Sequence, residues 1–131
     1  MNTPLQYIII DDDPFNNLIC KTIISKTIDG ANVQTFVVPE EGYSFLKNIV
    51  GKVILFPDIN MPTMTGWEFL EMFDKLDNEV KSKVKVFILS SSVDERDIEK
   101  ANTNKYVSGF ISKPLKPDII KDINEPEISA W

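Results

Sequence analysis

The chain has 131 residues, 43% hydrophobic and 26% charged, with a net charge of −6, which suits one domain with a proper core and leaves little for a second. The charge argues against a nucleic-acid surface, because phosphate contacts require clustered Lys and Arg. A single cysteine, Cys20, rules out an intrachain disulfide, and the absence of histidine removes the usual zinc ligand and neutral-pH general base. No signal-peptide pattern opens the sequence and its apolar runs are too short for a bilayer, so a cytoplasmic protein without a membrane span is expected.

In chain order, the first strand is expected at Leu5 to Ile10, "LQYIII". A helix follows from Pro14 to Ile28, with Asp13 as N-cap, Pro14 at the first helical position and Gly30 beyond its end. Its apolar stripe is read as Phe15, Leu18, Ile19, Thr22 and Ile23. Further strands are expected at Asn32 to Phe36, Lys52 to Phe56, Lys83 to Leu89 and Val107 to Ile111. Helices are expected at Glu40 to Val50, Gly66 to Leu76, Val93 to Ala101 and, as a short last one closed by Pro126, Pro117 to Ile123. This alternation of strand and helix implies an α/β fold, a parallel sheet between helical layers.

Parallel sheets collect functional groups at the carboxyl ends of their strands. Asp11 and Asp12 end the first strand, Asp58 the third, Ser90 the fourth and Lys113 the fifth. Singly, each has an ordinary reading as a cap, a turn residue or a solvated lysine. Together they place three carboxylates, a hydroxyl and an ammonium on one edge, and adjacent carboxylates require a compensating cation or donors.

The segments "IIIDDDP", "DINMPTMTGWEFL", "FILSSS" and "GFISKPL" resemble, in order and spacing, the receiver domain of bacterial two-component response regulators. The resemblance runs from about Tyr7 to Ile123, and its most specific part is the D-x-x-M-P-x-M-x-G pattern from Asp58 to Gly66. It implies a flavodoxin-like sheet of five parallel strands in the order 2-1-3-4-5. It also implies that Asp58 accepts a phosphoryl group from a histidine kinase or a histidine phosphotransfer protein, aided by Mg²⁺ or alternatively Mn²⁺. By the same resemblance Asp12 is the direct metal ligand and Asp11 a largely water-mediated one, with Asp58 and the Asn60 backbone carbonyl completing the set. Ser90 takes the hydroxyl switch position, Lys113 contacts a phosphoryl oxygen, Pro114 follows a cis peptide bond, and Phe110 stands at the aromatic switch position. Phe110 is equally well read as core. A register in which Asp12 and Asp13 form the acid pair remains the alternative.

Two features depart from the pattern. Pro57 removes a backbone donor from what should be an interior strand, which implies either a bulge or an end to pairing that re-aims Asp58, or a missing donor that falls where no acceptor waits. The last helix looks short, so Ile128 and Trp131 are expected to fold back in place of a longer one. A phosphatase of the haloacid dehalogenase type, which begins with Asp-x-Asp, leaves "DINMPTMTG" unexplained, and a receiver-fold interaction module that is never phosphorylated is the other rival. The expectation is a stand-alone receiver, core about 5–124 and tail 125–131, with no output domain and no enzymatic activity beyond its own phosphorylation and dephosphorylation. Its output is expected through a partner's surface, or a homodimer, formed by the last two helices and strand five.

Overall fold

A computed structural model describes residues 5–130, the side chains of 125–130 excepted. Its strands are β1 (Gln6–Ile10), β2 (Asn32–Phe36), β3 (Val53–Pro57), β4 (Val84–Ser90) and β5 (Val107–Ser112). Its helices are α1 (Pro14–Thr27), α2 (Pro39–Leu46), α3 (Gly66–Asp74), α4 (Asn78–Lys81), α5 (Glu95–Thr103) and α6 (Pro117–Ala130). The strands form one parallel sheet in the order β2-β1-β3-β4-β5, the flavodoxin-like arrangement.

Two apolar layers follow from the period-two alternation of the strands. Ile8, Ile10, Val53 and Leu55 face the layer completed by Leu46 of α2, Phe69, Leu70 and Phe73 of α3 and Ala101 of α5. Tyr7, Ile9, Ile54 and Phe56 face the other, closed by Cys20 and Ile24 of α1 and by Ile120 and Ile123 of α6. Tyr7 also donates a hydrogen bond from its hydroxyl to Asn124 Oδ1, fastening β1 to α6. Burial pushes the Tyr7 phenol up to about 12, so it stays a neutral donor.

The first helix starts as expected, Asp13 accepting from the Phe15 N–H at 2.9 Å ahead of Pro14, but the expected stripe is not its buried face. Phe15 is 69% and Leu18 60% exposed, while Asn17, Cys20 and Ile24 are buried. The reason is Asn17, whose amide donates to the carbonyls of Asp11 (3.0 Å) and Phe36 (3.5 Å) and so ties off the ends of β1 and β2. Burying that amide turns the helix away from the apolar residues beside it.

Other boundaries differ. α2 ends at Leu46, short of Val50, which is exposed; α4 is an additional turn of helix; and α5 begins at Glu95, capped by Asp94. Within α5 Ala101 is buried as expected, but Ile98 is more exposed than a core anchor. α6 continues through Pro126 to Ala130. A proline inside a helix costs one hydrogen bond and crowds the carbonyl four residues back, which disturbs a helix without having to end it. The expected fold-back of Ile128 and Trp131 lies outside the described side chains. No helix among the described residues is long and apolar enough to cross a membrane.

Pro57 is the last residue of β3, opposite Ile10 of β1. The N–H groups of a strand alternate between its two neighbours: Val53 donates to Lys83 on the β4 side, and Asp58 donates to Ile10 on the β1 side at 2.9 Å. The missing donor of Pro57 therefore faces β4, where the pairing runs only from Val53–Val84 to Leu55–Val86. It falls beyond the ladder, so the pairing with β4 ends before Pro57, as one of the expected readings has it.

Candidate functional site

The carboxyl edge of the sheet brings together Asp11, Asp12, Asp58, Ser90 and Lys113. One carboxylate oxygen from each of Asp11, Asp12 and Asp58 lies within 4.8 Å of the others, with Asp11 and Asp58 buried and Asp12 exposed. Each buried acid is fixed by donors. Asp11 Oδ1 accepts from the Asp13 N–H at 2.9 Å, and its Oδ2 accepts from Asn16 Nδ2 and Lys113 Nζ, both at 2.7 Å. Asp58 Oδ1 accepts from the Ile59 N–H at 2.8 Å, and its Oδ2 faces Lys113 Nζ at 3.4 Å.

Burial raises the pKa of Asp58; the Lys113 charge acts the other way, and the Asp11 charge adds to the rise. For Lys113, burial opposes its charge, but the carboxylates of Asp11 and Asp58 outweigh that and hold its pKa above the ordinary lysine value. The ammonium thus offsets part of the acid cluster. The outward oxygens are hard ligands next to an exposed carboxylate, a donor set that suits a small divalent cation holding several waters.

The loop after β3 is shaped by close packing. Gly66 donates its N–H to the Ile59 carbonyl at 2.8 Å, and a Cβ there would stand 2.5 Å from the Asp58 carbonyl oxygen, so only glycine fits. Thr65 caps α3 reciprocally with Glu68: the Thr65 hydroxyl accepts from the Glu68 N–H and the Glu68 carboxylate from the Thr65 N–H. Asn60 lies exposed in this loop. Lys113 follows β5 and precedes a cis bond to Pro114, and its N–H bonds the Ser90 carbonyl at 3.0 Å. Ser90 is fully buried at the end of β4, its hydroxyl oxygen accepting from the Ser92 N–H at 3.1 Å. Phe110 pairs with Ile88 across β4 and β5 and packs, partly buried, on the layer of α2, α3 and α5. Asn16 and Asn17 are absent from the sequence-derived site. Their signal was an Asn-Asn pair in the opening turns of a helix after an acidic strand end, a place where amides can reach strand carbonyls and carboxylates.

A five-stranded flavodoxin-like sheet carrying a buried acid pair, a lysine and a serine at its carboxyl edge defines the receiver class of signalling proteins. The sequence profile of the response regulator receiver domain matches residues 7–124, and the chain belongs to that family, not to the haloacid dehalogenase phosphatases. Among solved structures, a two-component response regulator from Cytophaga hutchinsonii is 28% identical, over 97% of this chain and 98% of that one, with a TM-score of 0.85. A response regulator receiver protein from Dyadobacter fermentans is 25% identical, over 91% and 94%, with a TM-score of 0.84. No match was found among curated proteins. Receiver domains are signalling modules of two-component systems, typically phosphorylated on an aspartate.

Proposed function

We infer that this receiver accepts a phosphoryl group on Asp58 from a sensor histidine kinase or a histidine phosphotransfer protein. The observation that carries the reading is the convergence of Asp11, Asp58 and Lys113 at 2.7 and 3.4 Å, which sets a nucleophilic carboxylate beside a positive charge and a second acid. An Asp58 carboxylate oxygen attacks phosphorus; the phosphorus–nitrogen bond of the donor phosphohistidine breaks, and its electron pair stays with the imidazole. The transferred group carries charge on its equatorial oxygens, so the site's task is positioning and charge compensation.

Asp12, Asp11, Asp58 and the Asn60 carbonyl would hold Mg²⁺, or Mn²⁺ in its place, which when bound neutralises part of the charge on the phosphoryl oxygens. Lys113 swings from the acid pair onto a phosphoryl oxygen, and Ser90 donates its hydroxyl proton to another. Phe110 then follows Ser90 into the space it vacates and reshapes the face of α5, β5 and α6, where a target protein or a second copy of the chain binds. The protein acts in the cytoplasm, without binding nucleic acid, and as a catalyst only of its own phosphorylation and dephosphorylation.

The donor docks on α1. Phe15, Leu18 and Ile19 are exposed on the helix that begins directly after Asp11, Asp12 and Asp13. An apolar patch on the rim of a charged site suits a partner that must bring a phosphohistidine to Asp58.

The test is incubation with acetyl phosphate and Mg²⁺, followed by mass mapping. A phosphoryl adduct on Asp58, absent in Asp58→Asn and in EDTA, is the expected result. Full labelling of Asp58→Asn, or no labelling of the wild type, overturns the acceptor reading; the latter leaves the interaction module.

A further inference from the structure

Beyond Ser90 runs a chain of hydrogen bonds that phosphoryl acceptance does not itself require. The Ser92 N–H donates to Ser90 Oγ at 3.1 Å, and the Ser92 hydroxyl donates to Asp97 Oδ2 at 2.8 Å. The Ser92 oxygen also accepts from the Asp94 N–H at 3.2 Å. On its other oxygen, Asp97 accepts from Trp67 Nε1 at 3.4 Å, joining α5 to α3. The Trp67 ring lies under Lys100, 5.9 Å from Nζ to its centroid, and forms one wall of an open groove of ≈ 670 Å³ that Leu70, Thr103 and Tyr106 also line.

We propose that Asp97 is a positioning residue which, through Ser92, holds Ser90 in its resting orientation and ties that state to Trp67 in the groove between α3 and α5. The proposal rests on the acceptor reading above and extends it to a route from the site. A serine hydroxyl has one proton to donate. When Ser90 turns toward β3 to give it to a phosphoryl group on Asp58, the 3.1 Å bond that its oxygen accepts from the Ser92 N–H is broken. The 91–94 segment then moves to satisfy that group. Ser92 is clamped by Asp94 on one side and Asp97 on the other, so its displacement passes into Asp97 and from there to the Trp67 indole.

Capping does not explain Asp97, because Asp94 already caps α5 by accepting from the Arg96 N–H. Contacts made in one of two states bias the equilibrium toward that state. Asp97 therefore stabilises the resting form, and its loss should favour the activated one.

The experiment uses the full chain with Mg²⁺ and beryllofluoride, a phosphoryl mimic. The indole N–H signals are separated with Trp131→Phe, and affinity is read by fluorescence titration. The expected results are that the Trp67 indole signal shifts on activation, that Ser92→Ala loses most of this shift, and that Asp97→Ala binds beryllofluoride roughly threefold to tenfold more tightly. Asp97→Asn, whose single acceptor oxygen cannot serve both Ser92 and Trp67, loses part of the shift. A Trp67 response of full size in Ser92→Ala, or folded Asp97→Ala binding no more tightly than wild type, overturns the proposal. If Asp97→Ala does not fold, Ser92→Ala decides alone. The Ile59 and Ser90 amides distinguish the two readings: if they shift while Trp67 stays still, the relay alone fails, and if none of them shifts, the acceptor reading fails with it.

Discussion

Lys113 donates to Asp11 at 2.7 Å across 102 residues of chain, joining the end of β5 to the end of β1 on the opposite side of β3 and β4. One ammonium therefore compensates two buried acids, and its removal leaves them repelling. Lys113→Met is expected to lower stability in EDTA by roughly 2 to 3 kcal/mol, below the range for a fully buried pair because the lysine is partly hydrated. Mg²⁺ should then raise the melting temperature of Lys113→Met more than that of the wild type, since the ion supplies the missing positive charge. Equal Mg²⁺-induced shifts in a thermal melt would count against this.

Burial sets the pH behaviour of Asp58. Its pKa is raised above the unfolded value, so the stability linked to it is fully present below the unfolded value and is lost as pH rises through the folded one. At neutral pH the ionised group weakens the fold. Asp58→Asn should accordingly melt higher than wild type at pH 7 without divalent ions, with the gain shrinking as pH falls through the raised pKa toward the usual carboxylate range. A gain independent of pH would point to packing instead.

The two exposed acids after Asp11 are expected to separate by function. Asp12 belongs to the oxygen cluster, whereas Asp13 holds the Phe15 N–H at the start of α1. Asp12→Asn should weaken Mg²⁺ binding by at least about tenfold, or roughly 1.4 kcal/mol. Asp13→Ala should cost about 1 kcal/mol of stability with little change in affinity. Equal losses of affinity in a Mg²⁺ titration would support the shifted acid pair.

Phe15 and Leu18 contribute little to the core, so replacing both with Ala should change stability by less than about 0.5 kcal/mol. Transfer from a phosphorylated donor protein should slow markedly, while labelling by acetyl phosphate, which needs no docking, should proceed at the wild-type rate. If both phosphodonors slow together, the helix supports the site itself and is not a landing surface.

The alternation of β-branched strands with helices made the sheet legible in the sequence, and the acids, serine and lysine were legible because each ends a strand. The face of α1 was not. Its orientation depends on Asn17 satisfying two strand carbonyls, a tertiary requirement that hydropathy scores as exposure. Asn16 was hidden likewise: its contact with Asp11 exists only once the chain turns from β1 into α1. The length of α6 is not legible either: Pro126 reads as a terminator, although proline forbids one hydrogen bond, not the helix around it. Pro57 needed the register of two neighbours before its missing donor could be assigned a direction.

The early end of the β3–β4 ladder gives that proline a constructive part. Past Leu55 and Val86 the two central strands are no longer laced together, yet Asp58 and Ser90 stand at their tips. The β3–β4 ladder therefore ends short of the two residues that the acceptor reading sets on either side of a phosphoryl group. Because proline carries no N–H, the end of that pairing is fixed in the covalent structure of the backbone and does not depend on any side chain around it.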